Sequence, residues 1–128
     1  MKPTFFRSQA AFRAWLTKHH ATTQELLVAY YKKSSGKPSM TWPESVDEAL
    51  CFGWIDGIRR RLDDASYTIR FTPRRPRSIW SAVNIKRAHA LVDERMMRPA
   101  GRTAFEAREE NRSGIYAYEQ RTDTALFH

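Results

Sequence analysis

Cysteine is almost missing from this chain: Cys51 is the single one among 128 residues. An internal disulfide is therefore excluded, and so is a zinc site built on several thiolates. Histidine does not fill the gap, because His19 and His20 are adjacent and point in different directions on a helix, and no other pair has ligand spacing. No metal or other cofactor is expected. Long apolar runs are also lacking, with nothing near the roughly 20 residues that a membrane-spanning helix needs. The start MKPTFFRS has no apolar core of a secretory signal, which places the chain in a cytoplasmic, reducing compartment with at most peripheral membrane contact. Two catalytic signatures are missing as well. There is no GxSxG elbow, and Gly36-Lys37 lacks the spaced glycines and the GK[ST] ending of a phosphate-binding loop.

Basic side chains are abundant and unevenly placed. Between residues 57 and 87 stand Arg59, Arg60, Arg61, Arg70, Arg74, Arg75, Arg77, Lys86 and Arg87 against Asp63 and Asp64 alone, so this segment carries +7 of a formal +8. Trp54, Tyr67, Phe71 and Trp80 are interleaved with them. Such a stripe makes an anionic partner the first hypothesis. The alternative is a solvated basic surface without a ligand. A hydrophobic content of 41% and a charged content of 28% fit one folded domain over residues 1–112, with a tail at 113–128.

The periodicity predicts α+β order. Ser8 caps a helix whose stripe is Phe12, Trp15, Leu16 and His19, with Phe5 and Phe6 stapling its entry, and Glu25 to Lys33 reads as a strand that ends in a surface turn. Thr41 and Glu44 have capping-box spacing with Pro43 in the first turn. The helix they open runs through Val46, Ala49, Leu50, Gly53 and Trp54 on its packed side, with Glu44, Ser45, Asp47 and Glu48 on other faces. A hairpin follows, turning at Asp63, Asp64 and Ala65. Tyr67, Ile69 and Phe71 face the core, Arg59, Arg61 and Arg70 the opposite side, and Arg60 points inward toward a carboxylate such as Asp47 or Asp56. Pro73 and Pro76 bound an exposed basic linker. Asn84 then caps a helix carrying Ile85, Ala88, Leu91, Val92 and Met96, and Pro99 and Gly101 separate it from a last helix that reaches about Asn111. The expected fold is a small antiparallel sheet of about three strands packed with four helices, in the order α-β-α-β-β-α-α.

On ALCFGWIDG, RFTPRR, SIWSAVN and TWPESVDEAL, with FRSQAAFRAWL, YYKKSSGKPS and SGIYAYEQR on either side, the chain resembles the bacterial YdeI/OmpD-associated family of bacteriocin-protection proteins. The resemblance covers nearly the whole chain. It implies a small bacterial binding protein in a stress or antimicrobial-peptide context, and it brings no agreed catalytic set. Family members usually continue past SGIYAYEQR, so the resemblance also implies a shortened C-terminus that leaves Ile115, Tyr116, Tyr118, Leu126 and Phe127 exposed or recruited into a dimer.

Three functional readings follow from these residues. The first is a non-enzymatic protein that binds an anionic ligand or a protein partner through Arg59, Arg60, Arg61, Arg70, Arg74, Arg75 and Arg77, with a pocket lined by Trp42, Trp54, Trp80, Asp47 and Asp56. The second is nonspecific nucleic-acid binding through the same arginines, since no helix-turn-helix, RRM, KH or zinc-finger signature accompanies them. The third is an enzyme using Asp47, Asp56 or Cys51, against which stands the plainer reading of Cys51 as a small core residue and of the two aspartates as arginine partners.

Overall fold

Capping chemistry sets the element boundaries of the computed structural model, which describes residues 1–108. Ser8 is extended and its hydroxyl accepts from the Ala11 N–H at 3.2 Å, opening α1 over Gln9–His19. Thr41 and Glu44 close a reciprocal capping box, and with Pro43 in the first turn they start α2 at Trp42–Cys51. Around these helices the chain forms β1 (Thr4–Phe5), β2 (Leu26–Tyr31), the hairpin β3 (Trp54–Asp63) and β4 (Ser66–Pro73), then α3 (Ala82–Asp93) and α4 (Pro99–Glu106). The protein is α+β, with four helices and a four-stranded sheet of order β1-β2-β4-β3.

Two expectations about the sheet need correction. It has four strands rather than about three, and it is mixed, because β1 pairs with β2 in parallel through Thr4 and Phe5. Phe5 therefore belongs to a strand and stacks on Tyr31 with ring centroids 4.4 Å apart, where a helix staple was expected. The rest of the element order is as read from the sequence.

Cross-strand neighbours share a sheet face, so the register locates the core. Leu26, Val28 and Tyr30 of β2 stand opposite Phe71, Ile69 and Tyr67 of β4, and this face meets the helices. Phe12 of α1 contacts Phe71 edge-on at 5.5 Å, and the Tyr30 hydroxyl donates to Ser45 Oγ of α2 at 2.8 Å.

Helix α2 is the centre of the packing. Ser45, Glu48, Ala49, Leu50 and Cys51 are all buried in it, and the helix touches α1, α3, α4 and β3. Ser45 and Glu48 were expected on outer faces. Instead, Glu48 accepts from Gln9 Nε2 at 2.7 Å and from Arg13 Nη1 at 2.8 Å, which makes it the link between α1 and α2. Pairing of this kind is what permits a carboxylate at 2% exposure. The helix also ends earlier than expected, at Cys51, because Gly53 turns the chain with φ +74 and Trp54 already belongs to β3.

A bulge changes the hairpin. Asp56 pairs with Phe71 but Arg59 pairs with Ile69, so β3 carries one residue too many between them and the alternation of its side chains is inverted from there on. Arg59 and Arg61 consequently share the face of Ile69 and Tyr67, and Arg60 lies on the other face opposite Thr68, exposed. This reverses the expected arrangement, in which Arg60 pointed inward. Neither expected partner of Arg60 is engaged with it: Asp47 holds Arg87 and Asp56 accepts from Trp42. Farther along, Ser81 rather than Asn84 caps α3, and Pro99 and Gly101 lie inside α4 instead of before it. The expected end of the last helix near Asn111 and the tail residues Ile115, Tyr116, Tyr118, Leu126 and Phe127 lie outside the described residues.

Two substitutions probe this core. A Cβ at Gly101 would sit 2.3 Å from the Cys51 carbonyl oxygen, so Gly101→Ala must push α4 off α2. It is expected to lower unfolding free energy by about 2 kcal/mol or more in urea titrations. Glu48→Ala strands Arg13, whose side chain is 24% exposed, and should cost about 2–3 kcal/mol in the same measurement.

Candidate functional site

Where α2 gives way to β3, the chain turns through Phe52 and Gly53, and the linker after β4 is fastened to that turn. The Arg74 N–H donates to the Gly53 carbonyl at 2.8 Å. The Arg74 side chain then lies over Trp80, its guanidinium carbon 4.0 Å from the ring centroid, and Nη1 donates to Ser78 Oγ at 3.1 Å and to the Ile79 carbonyl at 3.4 Å. Trp80 is 2% exposed and rests on Phe105 of α4 with ring centroids 5.4 Å apart. The linker was expected to be exposed. Arg75 and Arg77 are, but Arg74 is half-buried.

Arg74 is chemically unusual. Its Nε–H is buried and has no acceptor among the described residues. Burial pushes the guanidinium down to about 10, against the opposing pull of the Asp56 carboxylate. A desolvated cation with an unmatched donor is a costly arrangement, and groups of this kind concentrate at binding sites.

Two clefts flank the linker. One, of about 350 Å³, is floored by Phe52, Gly53 and Trp54, walled by Ala100, Thr103 and Ala104 of α4 and by Ala107 just after it, and rimmed by His20, Arg74, Arg75 and Pro76. The other, of about 400 Å³, opens on the opposite side between Ile55, Thr72, Pro73, Arg75, Arg77 and Ser78. Arg75 lines both. His20 Nδ1 lies 2.8 Å from the Leu16 carbonyl oxygen, which can only accept, so Nδ1 carries the proton and Nε2 is the nitrogen left for other contacts.

The remaining candidates occupy other places. Arg61 pairs with Asp64 at the hairpin turn, and Arg70 reaches Glu25 Oε2 at 2.8 Å. Arg59 lies over the Tyr67 ring at 3.8 Å. Among the described residues the three tryptophans stand at different places: Trp54 lines the first cleft, packed edge-on against Trp15 at 5.9 Å, Trp80 lies beneath Arg74, and Trp42 is 42% exposed at the start of α2. Trp42 Nε1 donates to Asp56 Oδ2 at 3.1 Å, and Asp47 receives a two-pronged contact from Arg87 at 2.7 and 2.8 Å. Both aspartates thus serve as ties between elements. Cys51 is fully buried and lines neither cleft, and burial pushes its thiol up to about 11.

His20, Phe52, Thr103 and the alanines of α4 were missed in the sequence. The available signal was the spacing of Ala100, Thr103, Ala104 and Ala107, which puts small side chains on one helix face and leaves room beside it. Among the described residues, no helix is long and apolar enough to cross a membrane.

The state of Cys51 is directly measurable. In the folded protein at about pH 8 it should resist a thiol reagent and titrate fully only in denaturant, since the thiolate is the reactive form and burial disfavours it. Rapid labelling of the native protein would contradict a structural role. No curated protein and no solved structure matches the chain. Residues 4–104 match the model of the family described as Domain of unknown function (DUF8412), and the chain belongs to that family.

Proposed function

We propose that this domain is a non-enzymatic binding protein of the YdeI/OmpD-associated type, working in the bacterial cytoplasm in a stress or bacteriocin-protection setting, and that it takes up an anionic ligand at the linker between β4 and α3. One observation carries the reading. Arg74 and Arg75 border one cleft and Arg75 and Arg77 the other, so the linker arginines gather on concave surfaces instead of forming a flat stripe. Clefts of about 300–1,000 Å³ are the usual size for small ligands, and both fall at the lower end of that range. On the hairpin, Arg61 and Arg70 have carboxylate neighbours, Asp64 and Glu25. The positions of Asp47, Asp56 and Cys51 favour binding over catalysis, since each has a structural engagement.

Nucleic-acid binding is the second reading, and the hairpin tip favours it. From Gly57 to Asp64 every residue is exposed, and Ile58 at 66% exposure stands beside Arg59 and Arg60. Such a tip suits a backbone contact that weakens steeply with salt.

Charge reversal separates the two readings. Arg75→Glu should abolish stabilisation of the protein by small anions in thermal-shift titrations and leave oligonucleotide binding unchanged, whereas Arg60→Glu should leave the anion response intact. The opposite pattern, with oligonucleotide affinity falling by about tenfold or more per threefold rise in salt, would replace the small-ligand reading with the polymer one.

A further inference from the structure

We infer that the cleft between the end of β4 and the turn of the linker receives a phosphate monoester, its phosphoryl oxygens meeting Arg75, Thr72 and Ser78 and its organic body lying against Ile55 and Pro73. This rests on the anionic-ligand reading above and gives it a chemical class. Two local structures bring the donors together. The Ser78 N–H donates to the Arg75 carbonyl at 3.0 Å and closes a turn with Pro76 at its second position, which draws the two ends of the turn close to each other. Thr72 follows core-facing Phe71 in β4, so its side chain stands on the sheet face that turns away from the helices, beside its partner Ile55 of β3. Turn and strand end enclose about 400 Å³, with Arg77 at the rim. Every lining residue is half-buried or exposed, so none is sealed off from what enters.

The side chains specify the group. Among the described residues no carboxylate lines the cleft, and the exposed Arg75 side chain makes no hydrogen bond, ion pair or ring contact. The Ser78 hydroxyl accepts from Arg74 Nη1 at 3.1 Å, which occupies a lone pair and leaves its O–H to donate. The Thr72 hydroxyl has no hydrogen-bond partner among the described residues. Donors therefore approach from the strand, from the start of the turn and from its end. A phosphoryl group carries three terminal oxygens set around a tetrahedron and meets donors on three sides, whereas a carboxylate has two oxygens in one plane. The planar fork of Arg75 suits two of those oxygens at once. Free phosphate would leave the apolar surfaces of Ile55 and Pro73 uncovered, and the organic part of an ester covers them.

The test uses the full chain and three probes, phenyl phosphate, inorganic phosphate and benzoate, in calorimetric and thermal-shift titrations at constant ionic strength, so that general screening is the same throughout. Phenyl phosphate should bind saturably, inorganic phosphate about threefold or more weaker, and benzoate about tenfold or more weaker. Thr72→Val keeps the branched shape of a strand residue and removes only the hydroxyl, and it should weaken phenyl phosphate by about tenfold, as should Ser78→Ala. Both residues line this cleft and not the one beside α4. A cooperative melting transition in each variant, recorded in the same titrations, shows that it folds. Benzoate matching phenyl phosphate would overturn the phosphoryl assignment and leave the anion reading standing. Inorganic phosphate matching it would overturn the contact with an organic body. Undiminished binding in Thr72→Val, whatever Ser78→Ala does, would overturn the location, and silence from every anion would overturn both readings.

Discussion

Everything in this fold is fastened to α2, a ten-residue helix that is enclosed by other elements on most of its circumference. Enclosure of that kind brings polar side chains into the interior, and each must then be matched. The matches are the connections between elements. Ser45 receives the Tyr30 hydroxyl from β2, Glu48 receives Gln9 and Arg13 from α1, and Asp47 receives Arg87 from α3. The Cys51 carbonyl takes the Arg98 N–H at the entry to α4, and Gly101 lets that helix close over it. A purely apolar α2 would pack as well but would not fix the rotation of its neighbours. The polar residues specify which face of α2 each element meets, a role for which buried polar groups are well suited when every one is satisfied.

Much of this was legible in the sequence and some of it was not, for identifiable reasons. Ser8, and Thr41 with Glu44, announced two helix starts because caps act through local bonds that need no tertiary partner. The alternation of Tyr67, Ile69 and Phe71 announced β4, which lies between two neighbours and buries one face as the pattern requires. Strand β3 was misread past Gly57, since a bulge changes the pairing by one residue without altering composition, and a single extra residue sends Arg59, Arg60 and Arg61 to the opposite faces. Glu48 was misread because a buried carboxylate and an exposed one look alike until the partners from α1, 35 and 39 residues away, are in place. The site was legible only in part: the arginines and Trp54 were named, but the wall contributed by α4 depends on a long-range packing that no local pattern encodes.

The basic stripe illustrates how little a charge count says about a binding surface. Its arginines have been given different surroundings by the fold. Arg61 and Arg70 are neutralised by neighbours, Arg59 is stacked on Tyr67, Arg74 is drawn half inside over Trp80, and Arg75 stands in the open between two clefts. Exposed ion pairs contribute little to stability, so the pairs at Arg61 and Arg70 matter mainly as a reduction of the field at the hairpin. What remains of the field is strongest in effect where water is partly excluded, as at Arg74, whose guanidinium burial shifts downward.

Gly53 connects the packing of α2 to the shape of that cleft. It ends α2 with a positive φ, its carbonyl holds the Arg74 N–H, and a Cβ on it would come within 2.8 Å of the Ala100 carbonyl oxygen. The floor, the linker and the α4 wall therefore meet at one residue that has no side chain and little room to move. A cleft assembled in this way is set before any ligand arrives, because its three sides are held by the same contacts that hold the core. A ligand taken up at the linker, as proposed above, would require little ordering of the protein. The constraint that makes α2 the centre of the fold is thus also what shapes the small cleft at its C-terminal end.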